Sequence, residues 1–322
     1  VKTHNAYALN VLRAVNLVAV FLENFLILMA QPSTNKCKNI MLGHAVADDC
    51  RISTYLAIQL SKSLRKTKRF DASDIMARYL YVYHTSKTEM SASTKLVYEE
   101  LKASLPKQPE TFKREHFYFP VDTIYNASQI AHDKLKGLSG GCNPAQRSFP
   151  LALCPWITDE NLFQYSCAEA RLTHYSSTAG QVAGVSNLIC RYLLNGMSWS
   201  DATKAAFSIT MNLLGEIQEI EKHFSLDEYI KPSKHPAYGP STLYTSLFCV
   251  SQANSFENAI MLATKKESEY CIPIVGILAA ARWPVQKTST NRCQTYILER
   301  IDDVSSDFND EWEKINRKKP KQ

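Results

Sequence analysis

Residues 43–54, GHAVADDCRIST, decide how this chain is read. The adjacent carboxylates Asp48 and Asp49 stand where an irregular segment gives way to an amphipathic helix. Ile52, Leu56, Leu60 and Leu64 recur every four residues with Tyr55 beside them, while Arg51, Gln59, Lys62 and Arg65 fall on the other face. Two carboxylates at a helix start complement the positive end of its dipole, so an acidic cap is the plain reading. The alternative is that hard oxygen ligands gather there for Mg²⁺ or a similar ion, with further ligands supplied from far along the chain.

Helical signals continue in both directions. The chain opens on Val1 rather than Met, which reads as a fragment or a processed end. Residues 7–30 are apolar but interrupted by Arg13, Asn16, Glu23 and Asn24, so they are expected to form a buried helix and not a membrane span. Downstream, Asp71 and Asp74 are spaced like a capping box, and Ser91 to Ser104 reads as a helix. Leu105 to Pro120, with three prolines, reads as a surface connection. Residues 137–150, GLSGGCNPAQRSFP, are the most loop-like stretch. Helices are expected over Asp159–Leu172, from Ser176 through a small-residue central segment, and from Ser200 to Lys222. Further helices are expected over Leu243–Val250, Ser255–Ala263, Ile272–Ala281 and Thr295–Glu313. No stretch alternates with period two, and the expected class is all-α.

Composition excludes several functions. The 322 residues are 45% hydrophobic and 21% charged, as in a globular protein. The net charge of +6 is concentrated in the tail KINRKKPKQ, which holds five basic residues. The remainder sets 32 basic residues against 31 acidic ones, which argues against a nucleic-acid-binding surface. The nine cysteines form no CxxC pair, so a zinc cluster is not indicated. Their odd number points to reduced thiols and a cytoplasmic location. Glycine, at ten residues, is about 3% of the chain where about 7% is usual, so loops that need a close backbone approach to a ligand are scarce.

Four segments stand out in order: ADDC at 47–50, GGCNPAQRSFP at 140–150, LTHYSS at 172–177 and SFENAIMLATKKESEYCIPIVGILAAA at 255–281. Together they resemble the ADP-ribosylglycohydrolase family, which includes dinitrogenase-reductase-activating glycohydrolases and J1-type crystallins. The resemblance covers residues 40–284. It implies a single large orthogonal helical bundle, preceded by a divergent helical segment (1–39) and followed by a packed C-terminal helix (285–313) and a basic tail (314–322).

In that family a Thr-Asp-Asp-Thr motif and a Gly-Gly-Asp-x-Asp-Thr motif hold two Mg²⁺ or Mn²⁺ ions that orient ribose and water for cleavage of a glycosidic bond. The resemblance places metal ligands at Asp48, Asp49, Glu267 and Glu269. It gives Asp48 and Asp49 the catalytic role, with Glu23, the sole acid before Asp48, as the candidate base. It assigns substrate contacts to Gly141, Cys142, Asn143, Arg147 and His174. The motif hydroxyls are absent from their usual places, and Lys265-Lys266 replaces the two glycines. Those lysines put positive charge beside a cation site, so a salt-bridged cluster with Glu267 and Glu269 is the rival reading. Arg147 pairs either with a phosphate or with a helix carboxylate. His174 either lines the ligand cleft or is a structural hydrogen-bonder.

Two functions follow. The first is a Mg-dependent hydrolase of ADP-ribosylated proteins or small molecules, with weakened or lost activity. The second is a non-catalytic relative, crystallin-like, kept for structure or for binding ADP-ribose. In either case the chain is expected to act as a monomer, with no nucleic-acid or membrane partner.

Overall fold

Serine, threonine and aspartate side chains open many of the helices. Asp71, Ser91, Thr158, Ser176, Ser198 and Ser255 each accept a hydrogen bond from a backbone N–H of the first turn that would otherwise lack a partner. The structure, a computed structural model, describes residues 35–86, 90–105, 117–209, 212–224, 228–266 and 268–318. The expected N-terminal helix with Glu23, most of the connection at 105–120, and Glu267 lie outside the described residues.

The helices are α1 (Lys36–Ala47), α2 (Ile52–Thr67), α3 (Ala72–Thr85), α4 (Ala92–Ala103) and α5 (Val121–Lys134). Two short helices follow, α6 (Asn143–Arg147) and α7 (Pro150–Leu153), then α8 (Asp159–Ala170), α9 (Ser177–Leu194), α10 (Trp199–Ser208) and α11 (Gly215–His223). The chain continues through α12 (Gly239–Gln252), α13 (Phe256–Lys265), α14 (Ile272–Arg282) and α15 (Thr295–Lys318). Among the described residues no strand forms beyond one isolated antiparallel bridge, Gly141 to Tyr238. The chain is all-α, as its periodicity predicts.

At the centre lies α9, nearly every residue of which is buried. Its glycines admit α8 at close range: a Cβ on Gly184 would lie within 2.7 Å of the Phe163 ring, and one on Gly180 within 3.1 Å of the Cys167 backbone. Arg191 on the same helix is buried and donates to the carbonyls of Leu151, Ala152, Cys154 and Ile157. These bonds tie α9 to the one-turn α7 and to the turn that follows it.

The second close approach joins the ends of the described chain. Helix α1 packs on α14, which is apolar and buried from Pro273 to Ala280. A Cβ on Gly276 would lie 2.6 Å from the Gly43 carbonyl oxygen, and a Cβ on Gly43 would lie 2.8 Å from that of Gly276. Both are shorter than real Cβ contacts, so the crossing requires glycine on each helix. Helix α15 then lies across α1 and α2, with Ile297, Ile301, Val304 and Phe308 inward and Arg65 bonded to Asp303 and Asp307.

Three local expectations are corrected. Residues 36–47 are helical, not irregular: Cys37, Ile40, Met41, His44 and Ala45 are buried along one face, but Leu42 and Val46 put apolar side chains opposite and a polar one, His44, lies in the buried stripe, so no clear amphipathic pattern marks it. The loop at 137–150 contains α6 and ends where α7 begins, each helix with proline in its first turn where proline is tolerated. The helix expected from Ser200 to Lys222 is two, because Leu214 takes extended backbone ahead of Gly215.

The α1–α14 crossing makes a stability prediction. Gly276→Val is expected to destabilise the protein by about 1–3 kcal/mol or more, read by chemical denaturation, because the helices must separate. Gly215→Ala, where a Cβ meets no atom within 4 Å, is expected to be neutral or stabilising by up to about 1 kcal/mol.

Candidate functional site

The turn between α1 and α2 is a helix terminus built without glycine. Asp49 and Cys50 both adopt left-handed backbone, each with φ 52°. The Cys50 N–H reaches back to the Ala45 carbonyl at 2.9 Å and the Asp49 N–H to that of Val46 at 3.4 Å. This is the hydrogen-bond pattern of a Schellman terminus, in which glycine is the usual left-handed residue. Holding two non-glycine residues there costs about 1–3 kcal/mol each. The surrounding contacts therefore over-determine this turn.

Asp48 is buried, and its Oδ2 accepts from the Thr54 N–H at 3.0 Å and the Thr54 hydroxyl at 2.8 Å. It caps α2, which begins at Ile52 and not at Asp48, from outside the cap position held by Arg51. Asp49 is exposed beside it. One turn earlier on α1, His44 is buried against the Phe149 ring. Its Nε2 lies 3.3 Å from the Ser53 hydroxyl, and the ring also bonds the Gln146 backbone. Burial lowers its pKa and keeps it neutral, although Asp48 acts in the opposite sense.

The α1–α14 crossing sets the second motif against this turn. Glu269 opens a 3₁₀ turn (Glu269–Cys271) ahead of α14, and its carboxylate lies 3.5 Å from the Arg51 guanidinium, both largely exposed. Lys266 does not pair with Glu269; its ammonium lies 3.9 Å over the Tyr229 ring and 5.0 Å over that of Phe248. The third segment joins through α6, where Gln146 donates to the Tyr270 carbonyl at 2.8 Å and accepts from Asn143 at 3.1 Å.

Arg147 is the largest fully buried side chain. Its Nε donates to Glu169 at 2.7 Å and its Nη2 to the Thr173 hydroxyl at 2.8 Å, and the guanidinium lies 5.2 Å over the Tyr79 ring. The Tyr79 hydroxyl donates to the same Glu169 oxygen at 2.8 Å. Of the two partners open to Arg147, the structure supplies the helix carboxylate. His174 Nδ1 lies 2.8 Å from the Thr173 hydroxyl, and a Cβ on Gly141 would lie 3.3 Å from His174 Nε2. Burial, reinforced by the Arg147 charge, pushes the His174 pKa down from 6.5 to about 3. Cys142 is buried, and its N–H donates to the Ala237 carbonyl.

The space enclosed by Ile52, Ser53, Met90, Ser91, Asn143 and Arg147 is about 20 Å³, room for a water molecule and not for a nucleotide. The larger hollows lie elsewhere. One of about 450 Å³ is lined by Glu216, Ile220, Lys234, Tyr238 and Tyr244; another, of about 350 Å³, touches the second motif through Lys266 and Ser268.

A pair of hard divalent cations needs several converging oxygens. Among the described residues no group of three or more His, Cys, Asp or Glu is placed to hold a metal. Asp48 spends one carboxylate oxygen on Thr54, and Glu269 faces Arg51. The described donors do not fit a two-ion centre. Sequence reasoning passed over His44, Ser53, Gln146 and Glu169. His44 lies four residues before Asp48, a spacing that becomes a signal once residues 36–47 are read as helix.

A sequence profile of the ADP-ribosylglycohydrolase family matches residues 31–270, about three quarters of the chain, and the protein belongs to that family. A solved chain described as an ADP-ribosylglycohydrolase-related protein complex superposes with a TM-score of 0.65. Its 18% identity extends over 86% of this chain and 98% of that one, a likeness of fold alone. No curated protein matches significantly in sequence.

Two predictions follow from the buried groups. Arg147→Met leaves Glu169 charged and unpaired, and is expected to cost about 3–5 kcal/mol in denaturation, much of it recovered by adding Glu169→Leu. His174 is held neutral in the fold, so the unfolded chain binds its proton first as the pH falls. Stability is full above pH 6.5 and is lost down to about pH 3, by as much as about 4–5 kcal/mol. His174→Gln is expected to flatten that acid limb in a denaturation series against pH.

Proposed function

We propose that this chain is a non-hydrolytic member of its family, in which the helical body is kept and the ligand cleft is filled by the protein's own side chains. One observation carries the reading: three of the side chains at the resembling ligand positions already have partners within the protein. Asp48 is bonded to Thr54, Arg147 to Glu169 and Thr173, and Glu269 faces Arg51. A substrate phosphate would have to displace Glu169 from Arg147 inside the core. That exchange leaves a buried carboxylate unpaired and costs several kcal/mol, about 3–5. A cation at Asp48 would compete with two hydrogen bonds that start α2.

On this reading the motif residues have become structural. The remnant of the first motif ends α1 and caps α2, and the remnant of the phosphate-side loop anchors α6 to α8. The role that remains is that of a packing or docking body, not of an enzyme acting on ADP-ribosylated groups. The nearly balanced charge outside the tail supports a partner other than nucleic acid.

The test is a release assay on the full chain, with N- and O-linked ADP-ribosyl substrates in excess Mg²⁺ or Mn²⁺, beside Asp48→Ala and Asp49→Ala. Release is expected to stay at the level of the variants. Mg²⁺ with ADP-ribose is expected to leave the melting temperature unchanged, whereas binding at 100 times Kd would add about 2.7 kcal/mol. Asp48→Ala is expected to lower stability by about 0.5–2 kcal/mol as a lost cap. Metal-dependent release that disappears in the variants would restore the hydrolase reading.

A further inference from the structure

Beside the second motif lies a hollow that neither Asp48, Asp49 nor Glu269 lines. Glu269 faces Arg51 and the α1–α2 turn, whereas Lys266 and Ser268 border a space of about 350 Å³ together with the loop KPSKHP at 231–236 and the first turn of α12. The loop is held at both ends. The Ile230 N–H donates to the Tyr244 hydroxyl at 3.0 Å, and the Pro236 carbonyl accepts from the Thr242 hydroxyl at 2.6 Å. Pro232 and Pro236 fix two φ angles between those ties. Tyr229, whose ring lies 5.7 Å from that of Tyr244, bonds the Thr245 hydroxyl at 3.1 Å. The walls are therefore in place before a ligand arrives.

The lining is rich in donors. Lys231, Lys234, His235 and Lys266 border the hollow, and no carboxylate among the described residues does. Lys234 is paired with Glu216 at 2.9 Å. The Lys266 ammonium has only ring faces as partners among the described residues, and Lys231 forms no ion pair with any of them. An ammonium carries three N–H donors, so both lysines keep donors for an anion. His235 Nδ1 accepts from the Ala237 N–H at 3.1 Å, which puts the hydrogen of the neutral ring on Nε2 as a further donor. Ser241 and Ser268 add hydroxyls, and Ser241 belongs to the first turn of α12, at the positive end of its dipole.

We propose that this hollow binds a phosphate dianion, free or as the terminal group of a small phosphomonoester. Lys231 and Lys266 are its counter-ions, and Lys234, His235 Nε2 and the Ser241 and Ser268 hydroxyls are further donors. A phosphate dianion presents acceptors alone and two charges, which matches two ammoniums without a carboxylate partner and a lining without an opposing acid. A volume of about 350 Å³ lies near the lower end of small-molecule sites, enough for a sugar or polyol phosphate and not for a dinucleotide. Lys266, one of the two lysines in place of the motif's glycines, thus serves an anion beside the position where the family holds cations. No metal takes part, and the site stands whether or not the chain hydrolyses ADP-ribosyl groups.

The test is calorimetric titration of the full chain with inorganic phosphate, glycerol phosphate and a ribose monophosphate, at about pH 8 where each is a dianion. Ionic strength is held constant and EDTA is present throughout. Saturable binding at one site is expected. Tighter binding of either ester than of inorganic phosphate identifies an ester as the occupant; equal or weaker binding identifies free phosphate. ADP-ribose, which has no terminal phosphate, is expected to give no heat. Lys231→Gln and Lys266→Gln are each expected to weaken binding by about tenfold, while Lys265→Gln, exposed but outside the lining, leaves it unchanged. Lys231 is an exposed loop side chain, so its variant tests the site even if Lys266→Gln folds poorly. No saturable binding of any of the three phosphates, binding that requires Mg²⁺, an equal loss in Lys265→Gln, or full affinity in both other variants would each overturn the proposal.

Discussion

The contact between Gly43 on α1 and Gly276 on α14 is the constraint on which the rest of the structure depends. Each helix presents a backbone carbonyl where the other's Cβ would stand, so the two backbones approach too closely for a side chain at either position. That approach sets the end of α1 against the 3₁₀ turn before α14, which places Arg51 within reach of Glu269. It also leaves a surface across which α15 lies. A larger side chain at either glycine would separate the two motifs along with the helices that carry them.

Around that crossing the polar residues have closed on one another. Arg147, Glu169, Tyr79, Thr173 and His174 form one buried network in which Glu169 Oε1 accepts from both Arg147 and Tyr79 while its Oε2 is buried without a hydrogen-bond partner. A buried ion pair such as Arg147–Glu169 contributes little net stability compared with apolar residues of equal size, yet breaking it is costly, because either charge alone is stranded in the core. Asp48 is engaged as well, by two bonds from Thr54 that begin α2. The gap lined by Ser53 and Arg147 is about 20 Å³.

Much of the fold was legible because its signals are local. Asp71 caps the helix that its spacing from Asp74 predicts, helices open at Ser91 and Ser255 as expected, and the stripe Ile52, Leu56, Leu60, Leu64 marks α2 correctly. Helix α1 was not legible, since Leu42 and Val46 set apolar side chains opposite its buried face and His44 lies within that face. The candidate site was read in outline, through motifs that four segments carry in order. Its bonding was not. That Arg147 takes Glu169 and Lys266 takes Tyr229 depends on which helices are neighbours, and nothing in the spacing of residues 147 and 169 or 229 and 266 encodes it.

Taken alone, the sequence determined the helical class, the capped starts of several helices and the family motifs, because periodicity, capping and motif order act within a few residues of one another. Only the tertiary structure decided what the motif residues do. A carboxylate four positions before a helix start can hold a metal or the helix itself, and a buried arginine can meet a phosphate or a glutamate. The choice is made by the groups that packing brings alongside, and here packing at two glycines brought Arg51 to Glu269, while the core brought Glu169 to Arg147.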